Sequence, residues 1–136
     1  MSNTKNITEK EVQALIQGKL SRYFGVAPKE ATKDQIYKAV VMSVRDILLE
    51  KRQQFHKVMR SKNGKRVYYM CMEFLLGRSL KNNIYNLGLG DEYAKALTGF
   101  GLTLDDLYEQ EPDAGLGYGE LGRLAACFMD AFATRN

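Results

Sequence analysis

A mainly apolar run that precedes a glycine sets the strongest limit on the fold. The run Val67–Leu76 reads VYYMCMEFLL, is rich in aromatic residues, and lacks the polar alternation of a strand with one wet face. It predicts a strand covered on both faces, as in parallel α/β sheets. Such a strand needs neighbouring strands to pair its backbone groups and other elements to cover both faces. The sequence, however, shows no second strand of this kind. We therefore expect the remaining strands in polypeptide outside this sequence.

The rest of the chain is predicted to be mainly helical. Capping-box signals at Thr8 and Thr32 open two amphipathic helices, and Gly25 ends the first of them. Apolar periodicity and glycine stops predict four further helices. These are Ser79–Leu87, Asp91–Thr98, Thr103–Gln110 and Leu121–Phe132. The fold class is therefore α/β but predominantly helical.

Composition limits the class of protein. The chain has 136 residues, 45% hydrophobic and 26% charged, as expected for one globular domain. No apolar run approaches a membrane span and no signal peptide is visible, so we expect a cytoplasmic protein without a membrane partner. Cys71 and Cys127 lie inside apolar runs and are predicted to be buried free thiols. His56 is the only histidine, and no metal site is expected.

Charge is divided unequally along the chain. Residues 1–66 hold 15 basic and 6 acidic side chains, whereas residues 67–136 hold 5 and 10. A cluster of basic residues with no acidic residue between them could bind a phosphorylated effector or could simply be solvated. We interpret it as a solvated helix end, and no motif or array of aromatics supports a nucleic-acid partner. The cluster comprises Lys51, Arg52, Lys57, Arg60, Lys62, Lys65 and Arg66.

A glycine-rich segment is the first candidate for a binding site. Gly115, Gly117, Gly119 and Gly122 run directly into the last predicted helix. Uncovered amides and the positive end of a helix dipole attract anions, so a phosphate or sugar-phosphate site is one hypothesis. The alternative is that these glycines serve only turns and close packing. The match to G-x-G-x-x-G is weak, because no strand pattern precedes it.

Glu73 is the second candidate, because it is a carboxylate within the apolar run. Ligands collect at the carboxyl ends of strands in open α/β sheets, which favours a site carboxylate. A buried ion pair with Arg78 or Arg123 is the alternative, and both interpretations can hold together.

Three segments carry a resemblance to a known family. They read ATKDQIYKAVVMSVRDILL, KRVYYMCMEFLLGRSLKNNIYNLG and DAGLGYGELGRLAACFMDAFAT. Together they resemble the amino-terminal region of the glycogen, starch and maltodextrin phosphorylases. The resemblance implies a fragment of the first of two Rossmann-like domains, a GT-B type glycosyltransferase fold. It also implies glucosyl transfer from an α-1,4-glucan to phosphate, assisted by pyridoxal phosphate on a lysine of the absent carboxy-terminal domain.

The resemblance implies roles for individual residues. Gly119 and Glu120 occupy positions whose amides approach the substrate phosphate, Leu121 lies against the glucosyl unit, and Glu73 is the cleft carboxylate. Arg66 matches an arginine near a nucleotide effector site. The family pattern GLGNGGLGR differs at two positions, where this chain has Tyr118 and Glu120. We expect Glu120 to weaken phosphate binding, both by repulsion and by disfavouring a loop shaped for glycine.

The resemblance also predicts how the chain is divided. Residues 1–62 resemble a helical segment of the dimer and regulatory region, and 63–136 hold the first strand, helices and glycine-rich loop. The chain alone is expected to be inactive, because it contains no complete catalytic set and no cofactor lysine. A non-catalytic helical association module is the alternative. Expected partners are α-glucan, phosphate and a second subunit of a homodimer.

Overall fold

A computed structural model describes residues 7–134 of the chain. The chain begins with helix α1 (Glu9–Lys19), continued by a π-helical turn at Leu20–Phe24. The remaining elements are α2 (Lys33–Ser61), β1 (Phe74–Gly77), α3 (Leu80–Leu87), α4 (Gly90–Thr98), α5 (Leu104–Tyr108), β2 (Ala114–Leu116) and α6 (Glu120–Thr134). The predicted helices are all present, and the four with predicted bounds differ from them by at most two residues at either end. A predominantly helical fold is therefore confirmed.

Local capping explains where three of these helices begin. In each capping box the threonine side chain accepts a hydrogen bond from the backbone N–H of the residue three positions later. The side chain of that later residue in turn accepts a hydrogen bond from the threonine N–H. Gly25 ends the first helical segment with a φ of 64°, a left-handed conformation that glycine adopts without strain. The boxes are Thr8 with Glu11 at α1, Thr32 with Gln35 at α2, and Thr103 with Asp106 at α5.

The hydrophobic core lies among the first five helices. Its centre is built from side chains of α1, α2 and α4, with contributions from α3 and α5. Ser43 is buried there and contacts the Tyr93 hydroxyl at 2.8 Å, while its own hydroxyl also lies 2.7 Å from the Val40 carbonyl oxygen. The fully buried members include Val12, Ile16, Leu20, Val40, Ile84, Tyr93, Leu97 and Leu107.

Helix α2 is longer than the core that it contributes to. Its buried residues end at Ile47, and Leu49, Phe55 and Val58 beyond that point are exposed. A helix of this length spans about 43 Å, so its second half projects from the packed helices. The basic residues of this half are exposed, in agreement with the prediction of a solvated helix end.

The predicted strand is shorter than its apolar run and pairs differently. Only Phe74–Gly77 forms a strand, and it pairs antiparallel with β2, placing Phe74 opposite Leu116 and Leu75 opposite Gly115. The prediction of a parallel strand covered on both faces is therefore wrong for the described residues. β2 was not predicted, because three residues carry too little periodicity to indicate a strand.

Much of the apolar run is uncovered, contrary to the expectation of a strand with both faces buried. Met70 and Met72 are about nine-tenths exposed, and Tyr68 is exposed as well. The thiols are free as predicted, but Cys71 is only half-buried and Cys127 is exposed. These residues have apolar character without neighbours among residues 7–134 to bury it.

Helix α6 packs against β1 and not against the helical core. Its buried apolar side chains, Ala125 and Ala126, lie outside the core cluster formed by the first five helices. The structure thus has a helical part and a smaller part made of β1, β2 and α6. Within the described residues, no helix is both long enough and apolar enough to span a membrane.

Candidate functional site

The structure brings Glu73 against the glycine-rich segment. A Cβ added at Gly117 would lie 2.7 Å from the Glu73 Cγ, and one at Gly122 would lie 3.0 Å from the Glu73 Cβ. A Cβ at Gly119 would collide with the Glu73 Oε2. The Glu73 side chain therefore fills the space that side chains would occupy at three glycines. We call Glu73 with Gly117, Gly119 and Gly122 the glycine face.

Strand pairing explains why these residues meet. Glu73 immediately precedes β1, and Gly117 immediately follows β2, so the antiparallel pair brings both to one end of the sheet. Gly117 has a φ of 78°, which turns the chain from β2 toward α6 and which other residues rarely adopt. Glu73 also leaves no room for a larger residue at this turn.

The amino terminus of α6 adjoins the glycine face. The Gly119 carbonyl oxygen accepts hydrogen bonds from the Gly122 and Arg123 amides, at 3.2 and 3.4 Å. Glu120 is the first residue of α6, and Leu121 follows with 60% exposure. The first amides of a helix have no carbonyl partner within it and carry partial positive charge. An anion could be attracted to this end of α6.

Glu120 does not have the glycine-like backbone conformation that the family pattern suggested. Asn63 is the only non-glycine residue with positive φ among those described, so Glu120 starts α6 without left-handed strain. The part of the expectation that rested on a loop shaped for glycine at this position is wrong. An acidic residue in the first turn also favours the helix dipole. Any effect of Glu120 on a bound anion must therefore come from its charge and volume.

Glu73 has no ion-pair partner in the described part of the chain. Arg78, one predicted partner, instead lies 3.5 Å from Glu109 and 3.9 Å from Asp113. No salt bridge joins Glu73 to Arg123. The ion-pair interpretation of Glu73 is thus not supported, and its carboxylate is left beside bare backbone.

Of the other predicted site residues, Gly115 and Tyr118 lie beside the loop, whereas Arg66 lies elsewhere. A Cβ at Gly115 would meet the Leu75 side chain at 3.1 Å and the Tyr118 ring at 3.5 Å. Tyr118 is 81% exposed beside the loop. Arg66 lies in a separate cleft of about 340 Å³, lined also by Arg52, His56 and Lys65. The structure does not join Arg66 to the glycine face.

Sequence reasoning missed the contact that anchors the loop. The Glu111 carboxylate accepts the Ser79 and Leu80 amides, at 2.7 and 3.0 Å, and so caps α3 from 31 and 32 residues away. This contact links the residues just before β2 and the glycine-rich segment to the start of α3, which follows β1. No short-range pattern could indicate it, because Glu111 reads as one of several acids in a polar stretch.

The described residues offer little to a cofactor or metal at this site. The atoms closest to the bare glycine positions of the loop come from Glu73, Leu75 and Tyr118. Across residues 7–134 no group of three or more histidine, cysteine or acidic residues is placed to hold a metal ion. The site's chemistry is that of backbone amides with carboxylates beside them.

Comparisons with known proteins agree on a single family. The carbohydrate phosphorylase family model matches residues 97–136. The chain is 50% identical over 107 residues to glycogen phosphorylase 2 of Dictyostelium discoideum, covering 79% of this chain and 11% of that protein. It is 47% identical over 110 residues to the L-2 isozyme of α-1,4 glucan phosphorylase, chloroplastic/amyloplastic, of Solanum tuberosum, covering 81% of this chain and 11% of that protein.

A bacterial relative matches more of the chain. Glycogen phosphorylase of Chlamydia trachomatis is 45% identical over 130 residues, covering 93% of this chain and 16% of that protein. The chain thus spans well under a fifth of the length of these relatives. With identity of this level over most of its residues, the chain belongs to the carbohydrate phosphorylase family and corresponds to the amino-terminal part of the glycogen and α-glucan phosphorylases.

Proposed function

We propose that this chain contributes one side of the sugar-phosphate site of an α-1,4-glucan phosphorylase, which transfers a terminal glucosyl unit to phosphate. The names of its relatives supply the substrate class, a glucan. In this proposal the Gly119 and Glu120 amides face phosphate, Leu121 faces the sugar, and Glu73 is the cleft carboxylate. Gly115, Gly117, Tyr118 and Gly122 shape the loop.

The observation that carries the proposal is the contact between Glu73 and the bare glycines at the start of α6. It places one carboxylate and a set of helix-terminal amides together on an exposed surface. Amides can hold an oxyanion, and a carboxylate can accept sugar hydroxyls. Such a surface needs a facing wall to exclude water, and we propose that other polypeptide of the complete enzyme supplies it.

Pyridoxal phosphate would be held by that other polypeptide, where its phosphate group would assist the transfer. The residues described here would bind and orient substrate only. We expect the complete enzyme to be a cytoplasmic homodimer in which residues 1–62 contribute to the subunit contact. The exposed apolar side chains Leu49, Phe55 and Val58 on α2 support a contact there.

Glu120 is expected to oppose phosphate binding by its charge. Two unit charges about 4 Å apart repel by roughly 4 kcal/mol at an effective dielectric near 20. Glu120 is exposed, so water and salt reduce this repulsion and allow the side chain to turn outward. We therefore expect weakened, not abolished, binding.

A chimeric enzyme tests this proposal. Residues 7–134 would replace the matching segment of the Chlamydia trachomatis glycogen phosphorylase, and glucose 1-phosphate release from maltodextrin would be measured against phosphate concentration. Glu120→Gly should lower the KM for phosphate by at least about tenfold, equivalent to about 1.4 kcal/mol. Glu9→Gly, at the first residue of α1, is the matched control and should leave that KM unchanged.

Two outcomes would refute the proposal. An unchanged KM after Glu120→Gly in an active chimera would remove Glu120 from the phosphate site. Clear glucose 1-phosphate release by the purified 136-residue chain would show that no second wall is needed.

A further inference from the structure

The carboxylate of Glu111 caps α3 in place of the residue that would normally do so. Ser79 is in the N-cap position of α3, but its side chain makes no capping hydrogen bond. The Glu111 Oε1 instead accepts the Ser79 and Leu80 N–H groups at 2.7 and 3.1 Å, and its Oε2 accepts the Leu80 N–H at 3.0 Å. The first amides of a helix need such acceptors, because the helix itself offers them none. The start of α3 therefore depends on the segment that leads to β2.

Both sides of this contact are joined to the helical core. Leu80 is 4% exposed and belongs to the core cluster. On the other side, the Glu111 N–H donates to the Tyr108 carbonyl oxygen at 3.2 Å, and Leu107 of α5 is fully buried in the same cluster. Glu111 is thus held through its backbone and through its side chain. It is a fixed point from which the chain leaves the core toward β2.

The connection from Glu111 to β2 is short and stiff. Only Pro112 and Asp113 lie between Glu111 and Ala114, the first residue of β2. The proline ring fixes the φ of Pro112 at about −65° and also restricts the backbone of the residue before it. A shift of one residue along a strand is about 3.4 Å, and so short a connection has little length to absorb it. The position of Glu111 therefore limits where β2 can begin.

The pairing of β1 with β2 needs such a limit. The ladder has three paired positions, with an irregularity between Leu75 and Gly77. Residues 78–113 separate the two strands, so no tight turn fixes their register. A two-stranded pair of this length is marginally stable by itself. Its register must therefore come from contacts at its ends.

Each end of the ladder has such a contact. The glycine face lies at one end, and the Glu111 cap adjoins the pair of Gly77 with Ala114 at the other. A slip of one residue would turn the side chains of β2 to the opposite face of the sheet. It would also move Gly117 by about 3.4 Å relative to Glu73. The packing of Glu73 on the glycines thus depends on the register that Glu111 limits.

We propose that Glu111 is a positioning residue of the substrate site: its cap on α3 sets the register of β1 on β2 and so holds Glu73 beside the first amides of α6. The consequence for phosphate binding rests on the function proposed above. Arg78 adds two longer contacts to the same segment, at 3.5 Å from Glu109 and 3.9 Å from Asp113. Exposed pairs of this kind contribute little, so Glu109 serves as the matched control.

Disulfide closure between the strands tests the register without reference to activity. In the purified chain carrying Cys71→Ser and Cys127→Ser, the pair Phe74→Cys and Leu116→Cys should close a disulfide within one chain under mild oxidation. Opposite residues of an antiparallel pair lie within bonding reach. Adding Glu111→Ala should slow closure by about threefold or more, because loss of a cap shifts local equilibria by this order. The loss of free thiols with time measures the rate.

Two further variants separate the cap from a general loss of stability. Glu111→Gln should restore most of the closure rate, because its single carbonyl oxygen can replace the Glu111 Oε1, which accepts both the Ser79 and Leu80 N–H groups. Glu109→Ala should close as fast as the unmodified pair. Circular dichroism checks that every variant keeps its helices.

The chimeric enzyme described above tests the consequence for the site. There Glu111→Ala should raise the KM for phosphate by at least about fivefold, since small displacements of binding groups are costly. Glu111→Gln should return that KM toward the value of the unmodified chimera. A purely structural role would lower the maximal rate in proportion to the folded enzyme and leave the KM for phosphate unchanged.

Each experiment can overturn the proposal. Disulfide closure that is as fast with Glu111→Ala as without it would show that Glu111 does not set the register. An unchanged KM for phosphate in the Glu111→Ala chimera would remove its role in positioning the site. If Glu120→Gly also left that KM unchanged, the failure would lie in the proposed phosphate site, and slower disulfide closure would still support the register.

Discussion

At the scale of single residues, the glycine face depends on what glycine lacks. Gly117 is needed for two reasons, its φ of 78° and the Glu73 Cγ that would lie 2.7 Å from an added Cβ. Gly119 is needed for the second reason only, and its obstacle is the movable end of the Glu73 side chain. The two positions should therefore differ in their tolerance of alanine.

Gly117→Ala should lower the free energy of unfolding by about 1–3 kcal/mol, because the left-handed backbone and the contact with Glu73 both oppose a methyl group. Gly119→Ala should cost less, since the carboxylate can rotate away. Urea denaturation measures both. Gly18→Ala, in α1 with open space around it, is the control and should stabilise by about 0.5–1 kcal/mol. Equal costs at 117 and 119 would contradict this account.

The buried Tyr93 hydroxyl predicts a loss of stability in alkali. Burial is the main cause that raises the Tyr93 pKa above 10.0, with Asp46 adding to it and the Ser43 hydrogen bond acting in the opposite direction. A raised folded-state pKa means that stability is fully present below pH 10 and declines as the pH rises above it. Tyr93→Phe should reduce this decline in urea midpoints between pH 8 and about 11. Tyr85→Phe, at an exposed tyrosine, should not.

At the scale of elements, four of the helices begin at one of two kinds of capping contact. α1, α2 and α5 use side chains three residues away, whereas α3 depends on Glu111 from another part of the chain. The local caps could be predicted and the distant one could not. The distant cap has the wider effect, because it also connects α3 with the segment leading to β2.

Glu111→Ala should lower the free energy of unfolding by about 0.5–2 kcal/mol, the usual effect of losing a side-chain cap. Thermal and urea denaturation measure the loss. Glu109→Ala removes a neighbouring acid that contacts Arg78 at 3.5 Å on the surface, and exposed pairs of this kind contribute little. A larger effect at Glu109 than at Glu111 would be evidence against the distant cap.

At the scale of the whole molecule, stability is expected to be uneven. The core cluster joins the first five helices, whereas α6 is held mainly by β1. Exposed apolar side chains are numerous on the second part, including Leu116, Leu121 and Phe132. Elements with few buried contacts open at lower free energy than the core.

Hydrogen exchange should resolve this difference. Amides of α1, α4 and the first half of α2 should be the most protected, and those of α6 should exchange through an opening of lower free energy. Equal opening free energies for α6 and α1 would show that the two parts unfold together.

The helices were predictable because their signals are local. The Thr8 and Glu11 capping box, the apolar period through Ile36 and Val44, and the stop at Gly25 all act within a few residues. The motifs that indicated the phosphorylase family were likewise visible in the residues alone. So was the pairing of a glycine-rich segment with a following helix.

What surrounds these elements depends on contacts between distant parts of the chain. Phe74 and Leu116 are 42 positions apart, and no short-range pattern specifies that pairing. The same pairing decides that Glu73 covers three glycines instead of meeting Arg78. The apolar side chains of Val67–Met72 favour burial, but whether they are buried depends on the polypeptide available to cover them.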